Sequence, residues 1–335
     1  MSTSVNELLV LKNWLKTDCL VNNFKLEPLA NDASFRRYFR IYAQEQPLIV
    51  MLAPPDKEDI TTFIAIAKDF IQHGIHVPKI LAYNLEHGFI LLSDLGNDLY
   101  LETLNTENVN ELYTQALAVI PQIQACNPKL DGNQSLHLFD KEFIQNELSL
   151  FVDWFLGKHL KLNTSSIKAS LQNVFQILIA STYEQPIVCV HRDYHSRNLL
   201  LINNREVGVL DFQDAVYGPI TYDAVSLLRD AYIDWPEPQI EKLALNFYHM
   251  LMPNYRFSKE EFLRWFDLMG LQRHLKILGI FARLCYRDNK PHYLENTQRL
   301  LNYLQRTCAR YPELIVLKQL IESNINNKLS ETEKK

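Results

Sequence analysis

Three side chains between His191 and Asp214 have the types and spacing to do chemistry together: Asp193, Asn198 and Asp211. Asp193 and Asn198 stand just ahead of an apolar run at 199–202, and Asp211 just behind a second run at 207–210. Two short apolar runs around the polar turn Asn203-Asn204-Arg205-Glu206 predict a tight β-hairpin. A hairpin returns the chain beside its own start, so the three polar residues are expected on one rim. That trio suits phosphoryl transfer. One carboxylate accepts a hydroxyl proton, while an amide oxygen and a second carboxylate hold Mg²⁺ against a nucleotide's phosphates. The competing reading is a loop with two helix or turn caps in an ordinary α+β domain. The complete set, in order across a hairpin, favours the phosphoryl-transfer site.

The same stretch reads His191-Arg192-Asp193 with Asn198 at the spacing of a kinase catalytic loop, and Asp211-Phe212-Gln213 where kinases carry Asp-Phe-Gly. Stepping out from it, apolar periodicity predicts an opening helix over 6–16, strands over 34–43 and 48–52, a helix over 56–73, and strands over 80–84 and 89–93. The chain then becomes mostly helical, with helices expected over 107–124, 141–156 and 165–183 before the hairpin. After it, helices are expected over 222–231, 239–251, 259–286 and 297–310. This order implies an α+β, two-lobed architecture: a small mixed sheet lobe over 1–95, a large helical lobe over 96–323, and a polar tail over 324–335.

Composition narrows the class of function. With 335 residues, 47% hydrophobic and 22% charged, the chain has the make-up of a soluble globular protein of two domains or lobes. A net charge of -5 argues against non-specific nucleic-acid binding. No apolar run approaches the ~18 residues of a membrane span. The opening Met-Ser-Thr-Ser-Val-Asn-Glu has neither the basic nor the apolar part of a secretory signal. Cys19, Cys126, Cys189, Cys285 and Cys308 are odd in number and lack a Cys-x-x-Cys pair, which fits reduced thiols and a cytoplasmic location. No obligate protein partner is evident.

Taken together, the small mixed lobe, the linker and the helical lobe with its Asp/Asn/Asp hairpin resemble the aminoglycoside phosphotransferase and choline kinase branch of protein-kinase-like folds. Specific stretches are similar to one bacterial subfamily of it. They are residues 31–40, Asn-Asp-Ala-Ser-Phe-Arg-Arg-Tyr-Phe-Arg; residues 190–198; residues 210–230; and Asp234-Trp235-Pro236. That subfamily comprises the anomeric kinases that phosphorylate N-acetylmuramate and N-acetylglucosamine at C1 during cell-wall recycling. The resemblance runs from about Asn31 to about Arg287. It implies a cytoplasmic ATP-dependent sugar kinase using Mg²⁺.

On that resemblance Asp193 is the catalytic base, Asn198 and Asp211 are the Mg²⁺ ligands, and Asp223 braces the catalytic loop, with N-capping as its alternative. His191 and Arg192 are scaffold, whereas His195 and Arg197 face the acceptor. Arg197 is a candidate for a lactyl carboxylate, or else a surface ion pair. Asp214 is a metal or sugar ligand or a loop cap. Leu92, Asp94 and Leu95 belong to an interlobe linker that would hold adenine, by backbone hydrogen bonds and two leucine side chains. Arg229 and Asp234, with Tyr222, Asp230 and Trp235, form the candidate acceptor wall; packing is the other reading for the two aromatics.

Two departures from the wider kinase pattern stand out. Residues 31–34 contain no glycine where a glycine-rich loop is expected, which leaves the Ser34 hydroxyl and backbone N–H groups to meet phosphate. Met51 stands where a strand lysine is expected. Of the alternating Arg36 and Arg37, Arg36 shares the face of Ser34 and is the favoured phosphate cation. The alternatives to a sugar kinase are a kinase for choline, an amino alcohol or an aminoglycoside, and a nucleotide-binding module of kinase fold without turnover. Arg197 and Arg229 argue against a cationic acceptor; the intact Asp193, Asn198 and Asp211 set argues against the inert module.

Overall fold

The computed structural model describes residues 2–29, 35–43, 46–130 and 134–333. They form two compact units. The first comprises Met1–Asp98, Lys129–Ser135 and Leu200–Gln213; the second comprises Leu99–Pro128, Leu136–Leu199 and Asp214–Lys335.

The first unit is built on a five-stranded antiparallel sheet. Its strands are β1 (Lys25–Pro28), β2 (Arg37–Tyr42), β3 (Leu48–Leu52), β4 (Ile80–Asn84) and β5 (Phe89–Ser93), in the order β1-β2-β3-β5-β4. Alternation along these strands puts Phe39, Ile41, Val50, Leu52, Phe89 and Leu91 into one core. Leu11, Trp14 and Leu15 of helix α1 (Ser2–Thr17) complete it. Trp14 and Phe89 meet there with ring centroids 5.6 Å apart. The sequence reading has no β1. That edge strand is half-exposed and ends in Pro28, a composition that argues against a strand except at a sheet edge. Helix α2 (Ile60–Gln72) starts where Asp59 accepts from the Thr61 N–H at 2.8 Å.

Strands β8 (Leu199–Ile202) and β9 (Glu206–Val209) pair as the expected hairpin, after β6 (His137–Leu138) and β7 (Ile187–Val190) earlier in the chain. Asn203 and Asn204 both take left-handed φ, +50° and +58°, and the Arg205 N–H closes the turn on the Ile202 carbonyl at 3.0 Å. This is the mirror-image turn whose twist matches a hairpin, and asparagine tolerates its positive φ. Within the first unit the Val209 N–H reaches the His76 carbonyl and the Leu201 N–H reaches the Asp98 carbonyl, both at 2.8 Å.

The second unit is mostly helical. After the short α3 (Tyr100–Thr103) come α4 (Val109–Gln124), α5 (Lys141–Leu150), α6 (Thr164–Tyr183), α7 (Tyr222–Leu228) and α8 (Glu237–Leu251). The unit ends with α9 (Lys259–Asp288), α10 (Thr297–Arg310), α11 (Ile315–Leu320) and α12 (Asn326–Glu333). A small sheet of order β6-β10-β7, with β10 at Val216–Pro219, lies among them. Part of the stretch expected as a polar tail is therefore helical. The single helix expected over 141–156 is α5 followed by π-helical turns over Phe151–His159.

Helix α9 is the axis of this unit, opened by a capping box between Ser258 and Glu261 and packed against α5, α6, α7 and α10. Its approach to α5 depends on Gly279. A Cβ there would lie 2.3 Å from the Leu150 carbonyl carbon, closer than any side chain allows. One turn earlier on each helix, Lys276 of α9 and Glu147 of α5 form an ion pair at 2.8 Å. The glycine is thus what lets the two helices bring their charges together.

Candidate active site

The loop from His191 to Asn198 is held in the second unit by two aspartates at the two ends of α7. Asp223 accepts from the backbone N–H of His191 at 2.8 Å and of Arg192 at 3.1 Å. This brace matches the sequence reading, and the alternative does not apply, because Thr221 occupies the N-cap position of α7. Two backbone donors at one buried carboxylate stabilise Arg192 at a φ of +74°, a left-handed conformation that a bulky residue adopts only under such restraint. Burial nevertheless pushes the Asp223 carboxyl up to about 7 against those two hydrogen bonds. Asp230, just past the helix, takes the N–H and hydroxyl of Ser196 at 2.9 and 2.5 Å and the N–H of Tyr232 at 2.9 Å. Its place in the sequence suggested the acceptor wall; its contacts are with the loop.

Between these braces the loop ties itself. The Asp193 carbonyl accepts from the His195 N–H at 3.1 Å and from the Asn198 side-chain amide at 2.9 Å, while the Asn198 N–H reaches the His195 carbonyl at 2.9 Å. Asn198 uses its amide nitrogen in this way, so its side-chain oxygen is the atom it has for a cation. The His195 ring meets Tyr232 edge to face at 5.4 Å, and the Arg197 guanidinium lies 3.8 Å above the same Tyr232 ring. Burial lowers the His195 pKa, and Arg273 and Arg197 add to that, against Asp230 and Asp193.

Beneath the loop lies a cluster that the sequence reading missed. Glu147 of α5 is bonded to Lys276 at 2.8 Å, to Arg192 at 2.9 Å and to Gln272 at 2.8 Å, and Lys276 donates to the Tyr222 hydroxyl at 3.1 Å. Arg273 donates to the Arg192 carbonyl at 3.2 Å. Glu147, Gln272, Arg273 and Lys276 are all buried. Burial alone would raise the Asp193 carboxyl; Lys276, Arg273, His195 and Arg192 together overcome this and hold it well below the usual carboxylate range. A signal was present in the sequence. Gln272, Arg273, His274 and Lys276 interrupt an otherwise apolar stretch of α9, and Gln272 and Lys276 are four apart, hence on one face.

Asp211 belongs to the first unit. Phe212 beside it is buried against Phe63 and Phe70 of α2, with ring centroids 4.7 and 5.7 Å away. That anchor fixes the exposed Asp211 at a φ of +61°, with one carboxylate oxygen accepting from the Gln213 amide at 2.7 Å. A carboxylate oxygen is a hard donor of the kind Mg²⁺ prefers.

The other expected nucleotide residues also lie in the first unit. Arg36 pairs with Glu58 at 2.6 Å, whereas Arg37 pairs with Glu7. Met51 is fully buried in β3 opposite Ile90. Leu92 is buried in β5, Leu95 is half-buried, and the Asp94 carboxylate is gripped by Arg40 at 2.5 and 3.0 Å and by the Gly96 N–H at 2.9 Å. Ser34, with residues 31–33, lies outside the described residues. In the second unit, the Asp214 carbonyl accepts from Arg192 at 3.5 Å. Arg229 is buried between Glu237 at 2.8 Å and Asp267 at 2.7 Å, and Asp234 accepts from the Tyr303 hydroxyl at 2.8 Å and from Arg306 at 3.2 Å. Trp235 donates to the Tyr113 hydroxyl at 3.2 Å. These partners are internal to the unit.

Among the described residues no helix is long and apolar enough to cross a membrane. Two proteins named N-acetylmuramate/N-acetylglucosamine kinase are similar to this chain. The Pseudomonas aeruginosa protein is 43% identical over 332 residues, covering 96% of this chain and 94% of its own. The Pseudomonas putida protein is 41% identical over 300 residues, 88% of this chain and 87% of its own. A solved ethanolamine kinase from Plasmodium vivax superposes with a TM-score of 0.65 at 11% identity, covering 90% of this chain and 89% of its own, which shows a shared kinase-like fold. Residues 25–260, more than half of the chain, match the phosphotransferase enzyme family, and with relatives this similar over almost the whole length the chain belongs to that family.

Proposed function

We propose that this chain is an ATP-dependent kinase that transfers the γ-phosphoryl group to the anomeric C1 hydroxyl of N-acetylmuramate and N-acetylglucosamine. The observation that carries the reading is the environment of Asp193: a carboxylate on a doubly braced loop, surrounded by Lys276, Arg273, His195 and Arg192. The names of the two Pseudomonas relatives supply the acceptor class. Lys276, Arg273 and Arg192 keep Asp193 ionised, so it can accept the hydrogen bond of the acceptor hydroxyl, orient it and take its proton late in a loose transition state. An anomeric hydroxyl is more acidic than an ordinary alcohol. A weakly basic Asp193 is therefore adequate, and positioning is its larger contribution.

Asn198 and Asp211 stand at the two ends of the β8–β9 hairpin and are the proposed Mg²⁺ ligands; the bound ion would neutralise charge on the nucleotide phosphates. Arg197, stacked on Tyr232, and His195 are the proposed acceptor contacts, with Arg197 suited to the lactyl carboxylate of N-acetylmuramate. On the nucleotide side the reading keeps the Leu92, Asp94 and Leu95 backbone for adenine and Arg36 for phosphate. A cytoplasmic location accords with that acceptor.

The test is ADP release from Mg-ATP against N-acetylmuramate, N-acetylglucosamine, glucose, choline and kanamycin. Turnover is expected on the two N-acetyl sugars, with acid-labile phosphate at C1. Asp193→Asn should lower kcat by about 10²–10⁴-fold. Turnover on choline or kanamycin alone would remove the sugar from the reading.

A further inference from the structure

We infer that Arg273, on the buried side of α9, is a positioning residue for phosphoryl transfer: it holds the peptide between Arg192 and Asp193 and, through it, the Asp193 side chain. This rests on the role proposed above for Asp193. Arg192 sits at a φ of +74°, where its own preferences oppose the conformation. Asp223 secures the peptide before it, through the N–H groups of His191 and Arg192. The peptide after it is secured from another helix, by Arg273 donating to the Arg192 carbonyl at 3.2 Å. Without that donor, the 192–193 peptide keeps only the hydrogen bond from the Asp193 N–H to the His191 ring nitrogen at 3.2 Å, and the Asp193 side chain loses its hold on the carbonyl side.

The way Arg273 is paired supports the same conclusion. Lys276 and Arg192 share the Glu147 carboxylate, but Arg273, only 3% exposed, donates to the Arg192 carbonyl and lies 5.5 Å from the Tyr222 ring, with the Asp193 and Asp230 carboxylates favouring its charge. Its buried Nε has no hydrogen-bond partner. Burial opposes the charge on Arg273, and Tyr222, Asp193 and Asp230 overcome it, so the guanidinium stays charged beside the loop while its donor is spent on the loop carbonyl next to Asp193.

The experiment compares Arg273→Met, Arg273→Lys and Asp193→Asn in the full chain with Mg-ATP and N-acetylmuramate. It reads kcat, the KM of each substrate, and folding by circular dichroism. Arg273→Met should lower kcat about 100-fold, the effect of a misplacement of about 1 Å, while both KM values stay within about threefold. Arg273→Lys, which keeps a donor and a charge, should recover about tenfold of that loss. A merely structural role would lower the amount of folded enzyme and leave its kcat alone. Wild-type kcat in folded Arg273→Met overturns the inference, and so does a loss confined to KM. If Arg273→Met does not fold, unchanged kcat in Arg273→Lys overturns it instead. Should Asp193→Asn keep its turnover, the reading of the site itself fails; a dead Asp193→Asn beside a fully active Arg273→Met removes only Arg273.

Discussion

The two units handle arginine in opposite ways. In the first, each of the three arginines around β2 has its own carboxylate: Arg36 has Glu58, Arg37 has Glu7 and Arg40 has Asp94. Beneath the 191–198 loop of the second, Arg192 and Lys276 share Glu147, and Arg273 holds a carbonyl. The first pattern is locally neutral. The second leaves positive charge in excess of the shared Glu147 carboxylate, and that excess acts on Asp193. A one-to-one pair chiefly fixes geometry, whereas an unmatched buried cluster fixes the ionisation of whatever stands beside it.

The largest expected effect comes from removing the shared anion. Glu147→Gln keeps the size of the side chain but leaves Lys276 and Arg192 buried without a carboxylate, so stability should fall by about 3–5 kcal/mol in urea or thermal unfolding. Burial opposes the charge on Glu147, and Lys276 and Arg192 overcome that, holding its pKa down, so the carboxylate is ionised at neutral pH and its loss is felt there. A change under 1 kcal/mol would mean that the cations relax to solvent, and the contrast between the units would lose its energetic content.

Arg40→Met makes the same cut in the first unit. Arg40 grips Asp94 through two nitrogens and also reaches the Gly96 carbonyl at 3.2 Å, so its loss frees the segment after β5. Only one cation is involved and Asp94 keeps the Gly96 N–H, so the stability loss should be about 2 kcal/mol, between exposed and buried pairs. The KM for ATP should rise while that for the sugar stays unchanged. A loss equal to that of Glu147→Gln would show that matched and shared pairing are energetically alike.

This contrast also separates what could be read in the sequence from what could not. Asp193, Asn198 and Asp211 were legible because they flank a local feature: the hairpin needs only two apolar runs and an Asn-Asn turn. The strands at 48–52, 80–84 and 89–93 were legible for the same reason. The Asp223 brace came through resemblance, 32 residues from the N–H it holds. Glu147, Gln272, Arg273 and Lys276 did not come through. Polar residues recurring on a helix ordinarily mark its solvent face, and only the packing of α9 among four other helices reverses that meaning. Arg229 and Asp234 are ambiguous in the other direction: a cluster of charge and aromatics reads in the sequence as a sugar-binding wall, and the internal ion pairs these two residues make have the same composition.

A pH-dependent effect tests whether charge on α9 is confined to one face. His274 follows Arg273 directly, yet its side chain stacks on Tyr303 at 4.6 Å and bonds the Arg229 carbonyl at 2.9 Å. Burial holds its pKa down to about 3, from an ordinary value of 6.5. Between those values the unfolded chain binds a proton that the folded chain refuses. The contribution of His274 is therefore complete above pH 6.5 and is lost as pH falls toward 3. Asp223, raised to about 7 by burial, acts with the opposite sign, its contribution being lost as pH rises through that value. His274→Gln keeps a donor for the carbonyl and removes the titration. Its unfolding free energy, followed from pH 6 down to pH 4, should decline less steeply than that of the unsubstituted chain, by about 1.4 kcal/mol per pH unit. Identical slopes would mean that His274 is charged inside the fold, and that the cationic face of α9 extends around the helix instead of ending at Arg273.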